Sequence, residues 1–447
     1  MRPRISWSDL PGRKVGVWGL GVEGRASLRK LVSLGIEPVL VDDDPDGPVD
    51  GRPVHATGEG GLDELLKLDV VVKTPGKSRY DPAVGELEGA GKLVVGGLAL
   101  WLEGADLDRV VCITGTKGKS TTTAIATHLL GRMGYRAMAG GNIGQPPYDP
   151  EAGAAADYAY WIIETSSYQA TDVGTSPPVT AVTSLHPDHL PWHRGDPETY
   201  YRDKLSLCRQ PGARLTIANG DSDLLRARAD QLGPEVRWVH AGDPAAAGTA
   251  WTEGLALLGE HNRRNALIAR ACLEALGVPE AADNDALAAA AEGFAHLPSR
   301  LTPLDEIDGV LFVDDSLSTN VLPTLAAVDA FPGRNIALIV GGSDRQIDYA
   351  PLAEGLARRR SPTLVLITES ASASSIHAGM KSRDVGPLVE VELAADLADA
   401  TRRGFAWARP DGVVLLSPAA ASHGLFRNYG ERAAAFQAAI ATCERSS

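Results

Sequence analysis

Cysteine is scarce in this chain: four in 447 residues (Cys112, Cys208, Cys272 and Cys443), with no paired spacing. That excludes a disulfide framework and a zinc ribbon, and the four read as reduced thiols. Missing too is any uncharged apolar run near the ~18 residues a membrane span needs. The first residues, MRPRISWSDL, hold no apolar stretch of the kind a secretory signal carries. An excess of positive charge is absent: 43 Lys and Arg stand against 57 Asp and Glu, a net charge of −14. A nucleic-acid partner would require a basic footprint, whereas anionic small molecules need only local sites. There is no internal repeat and no low-complexity tail. The expectation is a soluble cytoplasmic protein with no membrane and no nucleic-acid partner.

Apolar residues make up 44% of the chain, enough for a core in each of several domains. The first hundred residues alternate apolar runs with amphipathic segments. Lys14–Leu20, Pro38–Asp42 and Val70–Lys73 read as strands, and Glu23–Leu34 as a helix. This βαβ rhythm predicts a parallel sheet with helices on its faces. A second start appears at Arg109–Thr114, a strand running into a glycine turn and a helix from about Ser120. Further strands are expected at Tyr160–Ile163 and Val179–Thr183, and a helix at Ala282–Ala291. His296–Arg300 (HLPSR) carries a proline and marks a boundary. Beyond it Val310–Val313, Ile336–Val340, Thr363–Ile367 and Gly412–Leu416 read as strands again. The pattern is α/β in three domains, placed at residues 1–106, 107–296 and 297–447.

The strongest motif is Ile113–Thr123, ITGTKGKSTTT. A strand, a glycine-rich loop and a helix start follow in order. Backbone N–H groups of such a loop face phosphate oxygens, the helix dipole adds to them, and Lys119 supplies a point charge. Ser120 or Thr121 can offer a hydroxyl to Mg²⁺. Strict Walker spacing fails because Ile113 stands where a glycine belongs. An ordinary glycine turn capping a helix is the bland alternative.

Gly19, Gly21 and Gly24 form G-x-G-x-x-G after a strand, with Asp42 ending the next one. Alone this suggests dinucleotide binding. Glu164 ends a strand, and His186, Asp188, His189, His193 and Lys204 follow. Three histidines so close could suggest zinc, but Pro187 and Pro191 break any helix that would align them. A surface loop with partly buried histidines also fits.

The shortened loop G-T-x-G-K-S resembles that of the Mur ligases and of their relative folylpolyglutamate synthase. Further matches run in order along nearly the whole chain: Gly141-Asn142-Ile143-Gly144, Gly259–Asn265 (GEHNRRN), Leu297–Arg300 (LPSR), Asp314–Asn320 (DDSLSTN), Gly341-Gly342 and Ser417–Ser422 (SPAAAS). The resemblance implies a three-domain architecture: a Rossmann-like N-terminal domain for a UDP-linked substrate, a central P-loop ATPase domain and a Rossmann-like C-terminal domain for the amino acid. It implies ATP at Gly115, Thr116, Lys117, Gly118, Lys119, Ser120, Thr121, Asn262, Asn265, Arg300 and Asp315. It implies the UDP substrate at Val22, Glu23, Asp42, Gly76, Asn142, Ser166 and Gln169. Two magnesium ions would draw on Ser120, Glu164 and His189, with Lys204 carbamylated beside them. Lys119, His189 and Lys204 would carry the catalysis, and Thr319, Arg345, Ser422 and Tyr429 the amino acid.

The implied reaction is peptidoglycan precursor synthesis: glutamate joined to UDP-N-acetylmuramoyl-L-alanine through an acyl phosphate, by a monomer. Leu317, Arg345 and Tyr429 depart from the D-glutamate-adding members, which carry Lys, Lys and Phe there. Asp44 also stands where those members have arginine near the uracil. Arginine is a planar fork where lysine is a point donor, so the exchange remodels how a carboxylate is held. A variant branch of the family adds L-glutamate and leaves inversion to a downstream epimerase. The departures favour that branch, with ordinary D-glutamate addition as the alternative. A dehydrogenase, a folylpolyglutamate synthase and a non-catalytic nucleotide-binding protein are the remaining rivals.

Overall fold

Valine- and isoleucine-rich runs, too apolar for either face to meet water, form the centres of three sheets. In the computed structural model, residues 2–242 and 250–443 are described. The first sheet has five strands, all parallel, in the spatial order Val54–Ala56, Val39–Asp42, Val15–Trp18, Val70–Lys73, Leu93–Gly96. The strand order reverses beside Val15–Trp18, and the crevice beyond such a reversal is where open α/β sheets bind ligands.

The second sheet has six parallel strands, ordered Glu235–Val239, Leu215–Asn219, Val179–Val182, Val110–Thr114, Tyr160–Glu164, Ala137–Gly141. Val110–Thr114 lies in its middle and is buried along its whole length. The third sheet also has six strands: Thr302–Ile307, Val310–Asp314, Val413–Leu416, Ile336–Val340, Thr363–Thr368, Val389–Ala394. Its first strand is antiparallel to the second and the rest are parallel. The α/β class expected from the alternation is observed. So are the strands read from the sequence, within a residue or two at either end.

The chain divides into two compact units: Met1–Ala256 with Asn262–Phe294, and Leu257–His261 with Ala295–Ser447. The first holds two sheets, the second one. Within the first unit the two sheets are joined by a buried ion pair, Lys73 Nζ to Asp172 Oδ2 at 2.5 Å, with both side chains at most 3% exposed. Arg79 Nη1 lies 3.3 Å from the other oxygen of Asp172. Burial holds the Lys73 ammonium below its usual pKa, with Asp172 opposing the shift. All four cysteines are buried and unbridged. Among the described residues no helix is long and apolar enough to cross a membrane.

Candidate active site

The loop after Val110–Thr114 turns into the helix Lys119–Arg132 through Gly118, whose φ is +90°. A Cβ there would come within 2.7 Å of Asn265 Oδ1, so only glycine serves both the left-handed turn and the close approach. Asn265 in turn donates to Asn262 Oδ1 at 3.2 Å, which places the two asparagines of GEHNRRN against the loop. The loop is pinned from its far side. Thr116 N–H donates to the Ser184 carbonyl at 2.9 Å, Lys117 N–H to Ser184 Oγ at 2.8 Å, and Thr116 Oγ1 lies 2.9 Å from the Tyr200 hydroxyl. Lys119 folds back on the loop, with Nζ 3.0 Å from the Gly115 carbonyl. Lys117 Nζ lies 3.3 Å from Asp188 Oδ2.

Lys204 enters from the helix Pro197–Leu205, is 2% exposed, and donates to the same Gly115 carbonyl at 3.0 Å. Burial drives its pKa well below the usual lysine value, and the Lys119 charge lowers it further. Glu164, 1% exposed, accepts from Asn142 Nδ2 at 2.8 Å through one oxygen. Its other oxygen, Oε2, is buried with no hydrogen-bond partner. A buried carboxylate oxygen left unpaired is expensive, and a divalent cation would satisfy it. Among the described residues no three His, Cys, Asp or Glu side chains converge as a ligand set. A cation here would therefore complete its shell from hydroxyls and substrate oxygens, hard ligands that suit magnesium. His189 has a side chain more than half exposed and a φ of +52°. His193 is fully buried.

The glycine motif of the first sheet is built by close approach. A Cβ on Gly24 would lie 1.9 Å from the Gly19 carbonyl, so helix Val22–Ser33 can start only if residue 24 has no side chain. Val22 is 71% exposed beside the loop. Around Gly76 a Cβ would meet nothing within 4 Å. Glu23 is brought to the central domain: its Oε1 accepts from Gln169 Nε2 at 2.7 Å, and Gln169 Oε1 accepts the Ser166 N–H at 2.9 Å. Burial pushes the Glu23 carboxyl up to about 7, against the Gln169 and Tyr148 hydrogen bonds. Asp42 faces inward, since Oδ2 accepts the Leu20 N–H at 2.6 Å. It shapes the glycine loop, a role the motif alone does not reveal.

In the second unit Asp315 is likewise committed within the protein. It accepts from Leu301 N–H at 3.1 Å, Ser318 Oγ at 2.5 Å and Ser417 Oγ at 2.7 Å. Burial raises its carboxyl to about 6. It ties together the LPSR, DDSLSTN and SPAAAS segments. Ser422 is buried and Thr319 half-buried, whereas Arg345 and Tyr429 are exposed. Arg300 is half-buried one residue before Leu301. Arg432 was not singled out from the sequence. Its guanidinium is buried and donates to the carbonyls of Ser316 at 2.7 Å, Ala420 at 3.1 Å and Gly341 at 3.3 Å. Burial lowers its pKa to about 10. An arginine after an asparagine-capped helix start carries no local signal of that task.

Fold and site together define a phosphate-loop α/β enzyme. Residues 113–273 match the model of the Mur ligase middle domain, and residues 299–420 that of the Mur ligase glutamate ligase domain. The chain is 40% identical to a UDP-N-acetylmuramoyl-L-alanine–L-glutamate ligase of a Micromonospora species over 97% of either chain. A Salinispora tropica enzyme of the same name is also 40% identical, over 97% of this chain and 98% of the relative. The MurF ligase of Thermotoga maritima, solved in complex with ADP, shares the fold with a TM-score of 0.57 at 15% identity, over 98% of this chain and 97% of that one. The chain belongs to the Mur ligase family.

Proposed function

We propose that this protein joins L-glutamate to the carboxylate of UDP-N-acetylmuramoyl-L-alanine at the expense of ATP, as a monomer in the cytoplasm, with a separate epimerase acting on the product. The observation that carries the ligase reading is the convergence of Lys119 and Lys204 on the Gly115 carbonyl. The phosphates are assigned to Gly115–Thr121, with Asn262 and Asn265 beside them. The UDP substrate is assigned to Val22, Glu23, Asp42, Gly76, Asn142, Ser166 and Gln169, and glutamate to Thr319, Arg345, Ser422 and Tyr429.

Two magnesium ions, held through Ser120, Glu164 and His189, would neutralise charge on the transferring phosphoryl group and the acyl oxygens. Lys119 swings from Gly115 to the phosphates and neutralises charge as the acceptor carboxylate attacks. An acyl phosphate forms and ADP leaves. The amine of glutamate then displaces phosphate, giving the amide. Lys204 is suited to carbamylation because burial lowers its pKa and so raises the fraction of its amine that is neutral. The neutral amine adds to CO₂, an N–C bond forms, one proton leaves to solvent, and the buried amine becomes an anionic oxygen donor.

The preference for the L enantiomer rests on the relatives' names and on Leu317, Arg345 and Tyr429. The test is phosphate release with UDP-N-acetylmuramoyl-L-alanine, ATP and Mg²⁺, comparing L- and D-glutamate. Turnover with the L form alone is expected. Turnover with D-glutamate instead makes the three departures drift, and turnover with neither overturns the substrate assignment.

A further inference from the structure

Asp203 precedes Lys204 on the helix Pro197–Leu205 and is 6% exposed. Its carboxylate meets the Tyr80 hydroxyl at 2.7 and 2.9 Å and His193 Nδ1 at 2.7 Å. The other ring nitrogen of His193 lies 3.1 Å from Ser167 Oγ. Both ring nitrogens of the buried His193 thus have a partner, a carboxylate on Nδ1 and a hydroxyl on Nε2, and the two together fix the ring's orientation.

Tyr80 closes the loop Thr74–Tyr80 (TPGKSRY), which contains Gly76. The same loop is gripped by the residue before His193. Trp192 Nε1 donates to the Pro75 carbonyl at 3.1 Å, and Ser78 Oγ donates to the Trp192 carbonyl at 2.9 Å. Trp192 stacks on Tyr168 with ring centres 4.5 Å apart, and Arg194 lies over the Tyr80 ring at 4.2 Å. The turn Leu190–His193 is flanked by His189 and Arg194, with φ of +52° and +62°. Two non-glycine residues held in the left-handed region persist only where surrounding contacts over-determine them. The loop of the first sheet, the turn that begins at His189 and the helix that carries Lys204 are thus joined through one polar core.

We propose that Tyr80, His193 and Asp203 are positioning residues that couple the acceptor-nucleotide loop to Lys204 and His189, so that an ordered Thr74–Tyr80 loop sets the geometry of the activating centre. The inference rests on the assignment of Lys204 made above. Tyr80 is a donor throughout the working range, because burial and the Asp203 carboxylate raise its hydroxyl pKa.

The test uses Tyr80→Phe and Asp203→Asn in the full chain, both near-isosteric. Steady-state kinetics would be run with ATP and the UDP substrate varied separately, alongside melting temperatures. The Lys204 carbamate would be followed by ¹³C resonance after equilibration with labelled bicarbonate. Expected is a fall in kcat on the order of 10–100-fold, the range seen when partners that orient metal-site ligands are removed. KM for ATP should be unchanged and the carbamate resonance weakened or shifted, at near wild-type melting temperature. Wild-type kcat in both variants overturns the proposal, as does a loss of activity that follows a lowered melting temperature with the resonance unchanged. If the wild-type protein itself gives no carbamate resonance, the modification of Lys204 is refuted separately. The kcat split then decides the network alone: a fall supports it and no fall overturns it.

Discussion

Lys119 and Lys204 share one acceptor, each placing its ammonium 3.0 Å from the Gly115 carbonyl. Two like charges on one oxygen favour loss of a proton from the more buried partner, and Lys204 is the one whose pKa is driven well down. A neutral amine is what CO₂ requires. Ligation is therefore expected to slow in CO₂-depleted buffer and to recover with added bicarbonate. The loss should deepen as pH falls, because the neutral fraction of Lys204 shrinks below its folded pKa. Lys204→Arg should abolish both turnover and the bicarbonate response. An unchanged rate in rigorously depleted buffer would contradict this.

Glu23 predicts a stability slope of definite sign. Its carboxyl titrates near 4.5 when unfolded and at about 7 when folded. Between these values the folded state keeps a proton that the unfolded state has lost, so stability falls as pH rises through the window and levels off above it. Glu23→Gln should flatten that part of the melting-temperature profile and raise its alkaline end. A parallel profile for wild type and variant would show that Glu23 does not titrate in the window.

Asp315 holds three donors from three segments. Asp315→Ala leaves them buried and unpaired, at a cost of about 3 kcal/mol. Asp315→Asn, which retains an acceptor oxygen, should cost less. Denaturant unfolding of the two variants separates the values, and equal losses would mean that the shape and single acceptor oxygen kept by asparagine do not serve these donors.

Gly24→Ala should act on the glycine loop. The added methyl would stand 1.9 Å from the Gly19 carbonyl, and the backbone must move. A loss of about 1–3 kcal/mol is expected, with a raised KM for the UDP-linked substrate and an unchanged KM for ATP. Equal effects on both constants would point to global damage.

Legibility followed the range of the interactions. The central strands Val70–Lys73 and Ile336–Val340 are unbroken apolar runs and could be read directly. The edge strand Ala137–Gly141 (AMAGG) has no such run, and Thr302–Ile307 carries Pro303 and pairs antiparallel, so neither was foreseen. The helix expected from about Ser120 begins at Lys119, directly after Gly118 caps it in a left-handed turn. The phosphate loop was legible because its chemistry sits in consecutive residues. The Tyr80–Asp203 contact spans 123 positions, and the Arg432–Ser316 contact 116. No spacing or periodicity encodes such pairs, since each partner alone is an ordinary tyrosine, aspartate, arginine or serine.

The buried Lys73–Asp172 pair also limits how this chain can be recombined. One half belongs to the first sheet and the other to the segment after Glu164, 99 positions later. A hybrid that took its first hundred residues from a relative lacking both the lysine and Arg79 would strand the aspartate, a penalty of about 3–5 kcal/mol. Residues 73 and 172 thus act as a matching lock and key between modules. Any viable shuffling of the module built on the first sheet, in evolution or in the laboratory, has to carry both or replace both.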